Sequence, residues 1–443
     1  MPESLPDPVS ESAPRARSPL LAALAERVIV ADGAMGTQLQ LADLTLDDFG
    51  GLEGCNEILN ATRPDVVLDV HRGYLRAGAE AVETNTFGAN LPNLAEYDLQ
   101  DRIGELAEAG ARLARQAADE FGTAAAPRFV LGSVGPGTKL PTLGHAPFAD
   151  LRDAYREQCT GLLAGGVDAI IVETCQDLLQ AKAAIIGAHL AMRAAGQRVP
   201  LIAQVTVETT GSMLLGSEIG AALTALEPLG IDLIGLNCAT GPAEMSEHLR
   251  HLAKHARVPL SVMPNAGLPE LGPSGAVYPL TPDQLATALA GFVREYGVRL
   301  VGGCCGTTPE HIAAVIAAVR EAVPATRRPR PEPGVASLYS ATPFRQDTSV
   351  LMVGERTNAN GSKAFREAML AGRFEECVRI AREQTRDGAH LIDLCVDYVG
   401  RDGVADMAEL AGRLATASTL PIMLDSTEPA VLAAGLERIG GRC

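Results

Sequence analysis

Three cysteines have the types and spacing to do chemistry together: Cys238 in Gly-Leu-Asn-Cys-Ala-Thr-Gly, and the adjacent pair in Gly-Gly-Cys304-Cys305-Gly-Thr-Thr. Each group follows a short apolar run that ends in a glycine-rich turn. Ile231 to Leu236 reads as a buried strand and Arg299 to Val301 as the end of another. Thiolates at the C-terminal mouths of parallel strands can converge on one soft metal ion. Three protein sulfurs leave a tetrahedral zinc with one open position, the mark of a catalytic site, and a substrate thiol is the natural fourth ligand. A lone cysteine is more often a small buried hydrophobe. Glycines on both sides of the pair weaken that reading, because they permit the tight turn that aims adjacent side chains. A vicinal disulfide is the other reading of Cys304-Cys305, and a reducing compartment disfavours it.

Positioning such residues takes strands separated by helices. From Val28 onward apolar runs alternate with alanine-rich amphipathic stretches. The strands read 28–31, 79–84, 129–132, 169–173, 201–207, 233–236, 260–263 and 300–302, with helices such as 101–120, 149–165 and 246–256 between them. Eight strands in that pattern predict an α/β chain with a closed (β/α)8 TIM barrel. An open doubly wound sheet would want a phosphate-cradling loop after its first strand, and Asp32-Gly-Ala-Met-Gly-Thr37 lacks the G-x-G-x-x-G spacing. Polar residues follow the strand ends: Asp32, Glu83-Thr-Asn-Thr86, Glu173-Thr174, then the cysteines. That is where a barrel carries its active residues.

The expected organisation is a disordered tail over 1–19, the barrel over 20–323, a stiff proline-rich linker over 324–344, and a second (β/α) unit over 345–443. The strands of that last unit read 351–354, 391–394 and 422–424. Three strands do not close a barrel, so this unit is expected to be truncated, with exposed sheet edges. The chain has 443 residues, 47% of them hydrophobic and only 4% aromatic, which suits a large core of close helix-on-sheet packing. A net charge of −17 argues against nucleic acid and anionic membrane surfaces as partners. Nine irregularly spaced cysteines, no signal-peptide pattern and no membrane-spanning run fit a reducing cytoplasm. His248, His251 and His255 share helical spacing but lack the glutamate of H-E-x-x-H, so they read as a solvated helix face; the arginines of 327–330 read as solvated linker.

Asp32-Gly-Ala-Met-Gly-Thr, Glu83-Thr-Asn-Thr-Phe, Gly-Leu-Asn-Cys238 and Gly-Gly-Cys304-Cys305-Gly-Thr-Thr-Pro-Glu-His-Ile together resemble the homocysteine S-methyltransferase family. Gly354-Glu355-Arg-Thr-Asn358, Asp393-Leu-Cys-Val-Asp397-Tyr-Val-Gly and Leu-Asp425-Ser-Thr resemble the opening of a pterin-binding barrel. In this order the pair is similar to the cobalamin-dependent methionine synthase family. The resemblance implies zinc on Cys238, Cys304 and Cys305, with Asp32 and Glu173 near the amino-acid end of homocysteine. It implies a pterin site using Asp425, with Asp393, Asn358 and Glu355 as further candidates. It also implies the activity. A zinc-activated homocysteine thiolate accepts methyl from methylcobalamin, supplied in turn by 5-methyltetrahydrofolate, to give methionine. The Asp-x-His-x-x-Gly signature of a cobalamin-binding module is missing from the chain. Full turnover is therefore expected to need that module as a partner. Two alternatives stay open: a stand-alone homocysteine methyltransferase using S-methylmethionine or betaine, and a non-catalytic zinc-binding product.

Overall fold

The structure is a computed structural model and describes residues 18–272 and 275–443. Eight strands form one parallel sheet: β1 (Ile29–Val30), β2 (Ala81–Glu83), β3 (Phe129–Val134), β4 (Ala169–Cys175), β5 (Leu201–Val205), β6 (Leu233–Asn237), β7 (Leu260–Met263) and, after a short antiparallel hairpin of β8 (Glu270–Gly272) and β9 (Gly275–Val277), β10 (Leu300–Val301). The neighbours follow chain order, β10 pairs with β1 (Ile29 opposite Leu300), and a parallel bridge between Ala31 and Ala81 joins β1 to β2. The sheet is thus closed, and the expected TIM barrel is present.

Side chains alternate across a strand, so every second residue faces the barrel interior. Low in the barrel these are apolar: Ile29, Ala81, Phe129, Leu131, Ala169, Ile171, Ile202, Leu233 and Leu300 form one buried cluster. Further up the same faces they turn polar: Glu83, Ser133, Glu173 and Gln204 two residues on, and Asn237 four residues past Leu233. One alternating pattern therefore builds both an apolar plug and a polar floor for the mouth. The bottom is sealed by a helix at Pro19–Glu26, whose Leu20 and Leu24 join the interior cluster. That helix begins inside the segment expected to be disordered; residues 1–17 of the expected tail lie outside the described residues. Leu20 and Leu24, four apart, give it an apolar stripe that the barrel floor covers.

The proline-rich stretch differs from a solvated spacer. Arg327 donates to the carbonyls of Leu252 (3.2 Å), Ala253 (3.2 Å), Val258 (2.8 Å) and Ala256, at the end of helix Pro242–His255. The last carbonyls of a helix lack intrahelical donors, and a guanidinium fork meets several at once. Arg330 N donates to Lys254 O at 2.7 Å, and His255 Nδ1 lies 3.0 Å from Arg330 O. The histidine face expected to be solvated is therefore covered: His255 is 8% exposed, and His251 stacks 4.6 Å from it. The chain then forms an antiparallel ribbon of β11 (Gly334–Ala336) and β12 (Ala341–Pro343).

The second unit is a three-stranded parallel sheet, β13 (Val353–Gly354), β14 (Leu391–Cys395) and β15 (Ile422–Asp425), in the order β13-β14-β15, with helices on one side. Its small core gathers Phe365, Met369, Ile380, Ile392, Leu394 and Leu410. The outer strands leave Val353 and Met423 about two-fifths exposed (43% and 41%), as unpaired edges would. Residues 436–443 return to the first barrel. Arg442 bridges to Ala336, and Lys182 Nζ donates to Ile439 O at 3.0 Å and to Gly441 O. Among the described residues no helix is long and apolar enough to cross a membrane.

Candidate metal centre and substrate site

Cys238 directly follows β6. Cys304 and Cys305 follow β10, three positions past its last residue. At Cys238 and Ala239 the backbone turns left-handed (φ 59° and 55°), which swings the thiol over the barrel mouth. On the other loop, Gly306 adopts φ 78°, a conformation glycine takes without strain. A Cβ on Gly303 would lie 2.4 Å from Thr307 Oγ1, the hydroxyl that ties the loop together by donating to Cys304 O at 2.7 Å. Gly303 N donates to Asp32 O and Cys304 N to Pro264 O, anchoring the pair between neighbouring strand ends.

The three sulfurs come together. Cys238 Sγ is 3.9 Å and Cys304 Sγ 4.0 Å from Cys305 Sγ, and all three lie within 4.8 Å of one another. A tetrahedral zinc with Zn–S bonds of about 2.3 Å needs sulfurs about 3.8 Å apart. Two of the three separations match that spacing closely, so the thiols present fit such an ion. They are half-buried, and all nine cysteines are free. Hydrogen bonds from Cys238 and Cys304 pull the Cys305 thiol far below the ordinary thiol range; bonding to its two partners, then burial, raises Cys304. At Cys238 a bond with Cys304 pulls down, but the bond to Cys305 and burial outweigh it and push the thiol up to about 12.

Beside the thiols lie two buried carboxylates, Asp32 and Glu173, and a half-buried third, Glu83. Asp32 (2% exposed) accepts the Glu83 N–H at 3.1 and 3.0 Å. Glu173 (5% exposed) accepts Ser133 Oγ–H at 2.6 Å on one oxygen and Asn237 Nδ2 at 3.0 Å on the other. Glu83 extends inward from β2, and its Oε1 is buried with no partner. No lysine or arginine pairs with any of the three among the described residues. Burial, reinforced by their mutual repulsion, pushes Asp32 and Glu83 well above the usual carboxylate range. Burial likewise lifts Glu173 to about 7. Uncompensated buried acids are costly, so the arrangement suits a cationic ligand group. Sequence reasoning assigned substrate roles to Asp32 and Glu173 and none to Glu83. The available signal was parity: Ala81 faces inward, so Glu83 must.

In the second unit the expected residues also converge. Asn358 Nδ2 lies 2.8 Å from Asp393 Oδ2 and 3.4 Å from Asp425 Oδ2. Asp393 is 5% exposed, its Oδ1 has no partner, and burial raises its carboxyl above the usual range. Asp425 ends β15 facing solvent, and Glu355 is exposed at the rim beside Gly361. Asp397 instead accepts Ser426 Oγ–H at 2.8 Å, bracing the loop after β15.

Residues 29–319 match the family model for homocysteine S-methyltransferase, and residues 354–443 match that for pterin binding enzymes. With the closed barrel beneath its strand-end residues, this defines a methyltransferase of the (β/α)8-barrel class. The chain belongs to the homocysteine S-methyltransferase family. It is similar to methionine synthase of Mycobacterium tuberculosis, 69% identical over 96% of this chain, and to that of Mycobacterium leprae, 67% identical over 96%. The chain spans 36% of the length of each. The barrel is also similar to the metallated form of the homocysteine methyltransferase MmuM from Escherichia coli. That likeness has a TM-score of 0.56 and 26% identity, covering 68% of this chain and 99% of that one.

Proposed function

We propose that the first barrel binds homocysteine and presents its sulfur for methylation, as the acceptor half of a methionine synthase. The carrying observation is the thiol trio, within 4.8 Å, beside buried carboxylates that have no cationic partner. Cys238, Cys304 and Cys305 would hold zinc. When bound, zinc supplies a Lewis acid that lowers the pKa of an incoming thiol and so yields the nucleophile at neutral pH. Asp32, Glu83 and Glu173 receive the substrate ammonium, whose charge offsets the buried acids. Ser133 and Asn237 hold Glu173 by both oxygens, so the amino group is met by an oriented carboxylate. The methyl donor is methylcobalamin, carried by a module outside this chain and recharged from 5-methyltetrahydrofolate.

The second unit supports the folate-linked donor over S-methylmethionine or betaine, since those donors need no pterin site. Asp425 would accept two parallel hydrogen bonds from a pterin ring edge, with Asn358 and Asp393 behind it and Glu355 at the rim. The test uses zinc-loaded chain with homocysteine and free methylcobalamin, read as methionine formed and as sulfur added to the zinc coordination shell. Methionine above a zinc-stripped control is expected. A shell unchanged by homocysteine, with no methionine, overturns the reading.

A further inference from the structure

The loops that carry the amino-group acid and the first metal thiol are joined by one side chain. Asn237 is wholly buried at the end of β6, immediately before Cys238. Its Oδ1 accepts Thr174 N–H at 2.8 Å; its Nδ2 donates to Thr174 Oγ1 at 2.8 Å and Glu173 Oε2 at 3.0 Å. Its carbonyl accepts the Thr206 hydroxyl at 2.9 Å. The backbone is strained on both sides of this bridge: Thr174, Cys238 and Ala239 are all left-handed without being glycine (φ 54°, 59° and 55°). Such conformations persist only where the surroundings impose them, and they concentrate where function needs a fixed geometry. Only an amide offers an acceptor to one backbone N–H and donors to a carboxylate and a hydroxyl from one short side chain.

We propose that Asn237 is a positioning residue that sets the distance between Glu173 and the thiol cluster. It thereby selects amino thiols of homocysteine's reach over thiols that lack the ammonium or hold it one carbon closer. This rests on the homocysteine reading above. Held by Ser133 alone, at one oxygen, Glu173 could pivot about that bond toward its neighbouring acids. Pinned by Asn237, it stands at a set separation from the sulfur of the next residue in the chain. The ammonium and the sulfur of one ligand must then satisfy both ends together.

The test compares zinc-loaded wild type with Asn237→Asp and Asn237→Ala by calorimetric binding of homocysteine, cysteine and 4-mercaptobutyrate, with zinc content measured in parallel. 4-Mercaptobutyrate has homocysteine's reach and no amino group. Asn237→Asp keeps size and the acceptor for Thr174 N–H but cannot donate to Glu173, so it tests the bridge even if the alanine variant fails to fold. The expected result is one zinc per chain in every variant. Homocysteine affinity should fall about 10- to 100-fold, the scale of one charge-assisted hydrogen bond, with 4-mercaptobutyrate affinity within about twofold. The advantage of homocysteine over cysteine should shrink accordingly. Equal losses for homocysteine and 4-mercaptobutyrate, loss of zinc, or an unchanged preference in Asn237→Asp would each overturn the proposal. Wild type that binds zinc but not homocysteine would instead overturn the parent reading of function.

Discussion

The two units handle their acids in opposite ways. In the first, a closed sheet puts Asp32 and Glu173 deep inside, braced by their neighbours, with Glu83 half-buried beside them and its Oε1 without a partner. In the second, an open three-stranded sheet leaves Asp425 facing solvent, with Asp393 buried behind it. Closure is what converts a row of strand-end residues into a desolvated pocket. A buried carboxylate is pushed toward its neutral form and waits for a cation; an exposed one stays ready to accept hydrogen bonds from a planar ring. The contrast matches an amino-acid substrate in the first unit and a pterin edge in the second.

The sharpest break of that comparison is at the metal ligands. Cys304→Ala is expected to abolish zinc binding and to cut methionine formation from methylcobalamin by at least about 100-fold, more than the loss typical of a supporting residue. Asp425→Asn should leave both within twofold. Metal analysis and product assay on the two variants decide it, and a Cys304→Ala protein that keeps its zinc contradicts the assignment. Next in size, Asp425→Asn is expected to weaken 5-methyltetrahydrofolate binding by about 1.5–3 kcal/mol, the cost of a charge-assisted hydrogen-bonding partner. Calorimetry reads this directly, and unchanged affinity would move the pterin site elsewhere.

The acids at the barrel mouth predict a pH effect. Because burial raises Glu83, the folded chain holds a proton that the unfolded chain releases. The stability tied to that proton is complete below the ordinary glutamate range and is lost as pH rises toward the folded value. Glu83→Gln should therefore raise the stability of the metal-free protein more at pH 8 than at pH 4, by about 1–3 kcal/mol. Thermal melts at the two pH values check it; a larger gain at pH 4 reverses the sign and refutes the burial argument. The smallest effect concerns the seam between the units. Lys182→Ala removes the donor shared by the Ile439 and Gly441 carbonyls and should cost about 1–2 kcal/mol. Hydrogen exchange is expected to quicken in β14 while β5 keeps its protection. Equal quickening in both would mean the units unfold as one.

Much of this was legible in the chain. All eight barrel strands were placed within a few residues, because parallel strands buried on both faces are continuous apolar runs. The thiol trio stood out through its glycine-flanked turns. Less legible were features that depend on what lies opposite. The helix at Pro19–Glu26 reads as an anonymous apolar octamer until the barrel floor receives Leu20 and Leu24. Arg327 and His255 look solvated until the proline-rich run folds back on helix Pro242–His255. The inward parity of Glu83 and Asn237 was available from strand periodicity, but their partners were not.

By itself the sequence determined the alternation of strands and helices, the inward-facing series on each strand and the chemistry offered at the strand ends. These are local properties, set by the pleat, by backbone propensity and by side-chain type. Only the tertiary structure decided that the sulfurs of Cys238 and Cys304 stand 3.9 and 4.0 Å from that of Cys305, 67 residues beyond Cys238, and that one amide ties Glu173 to the residue before Cys238. The physical reason is that such distances follow from how a sheet closes, and closure is a property of all eight strands at once.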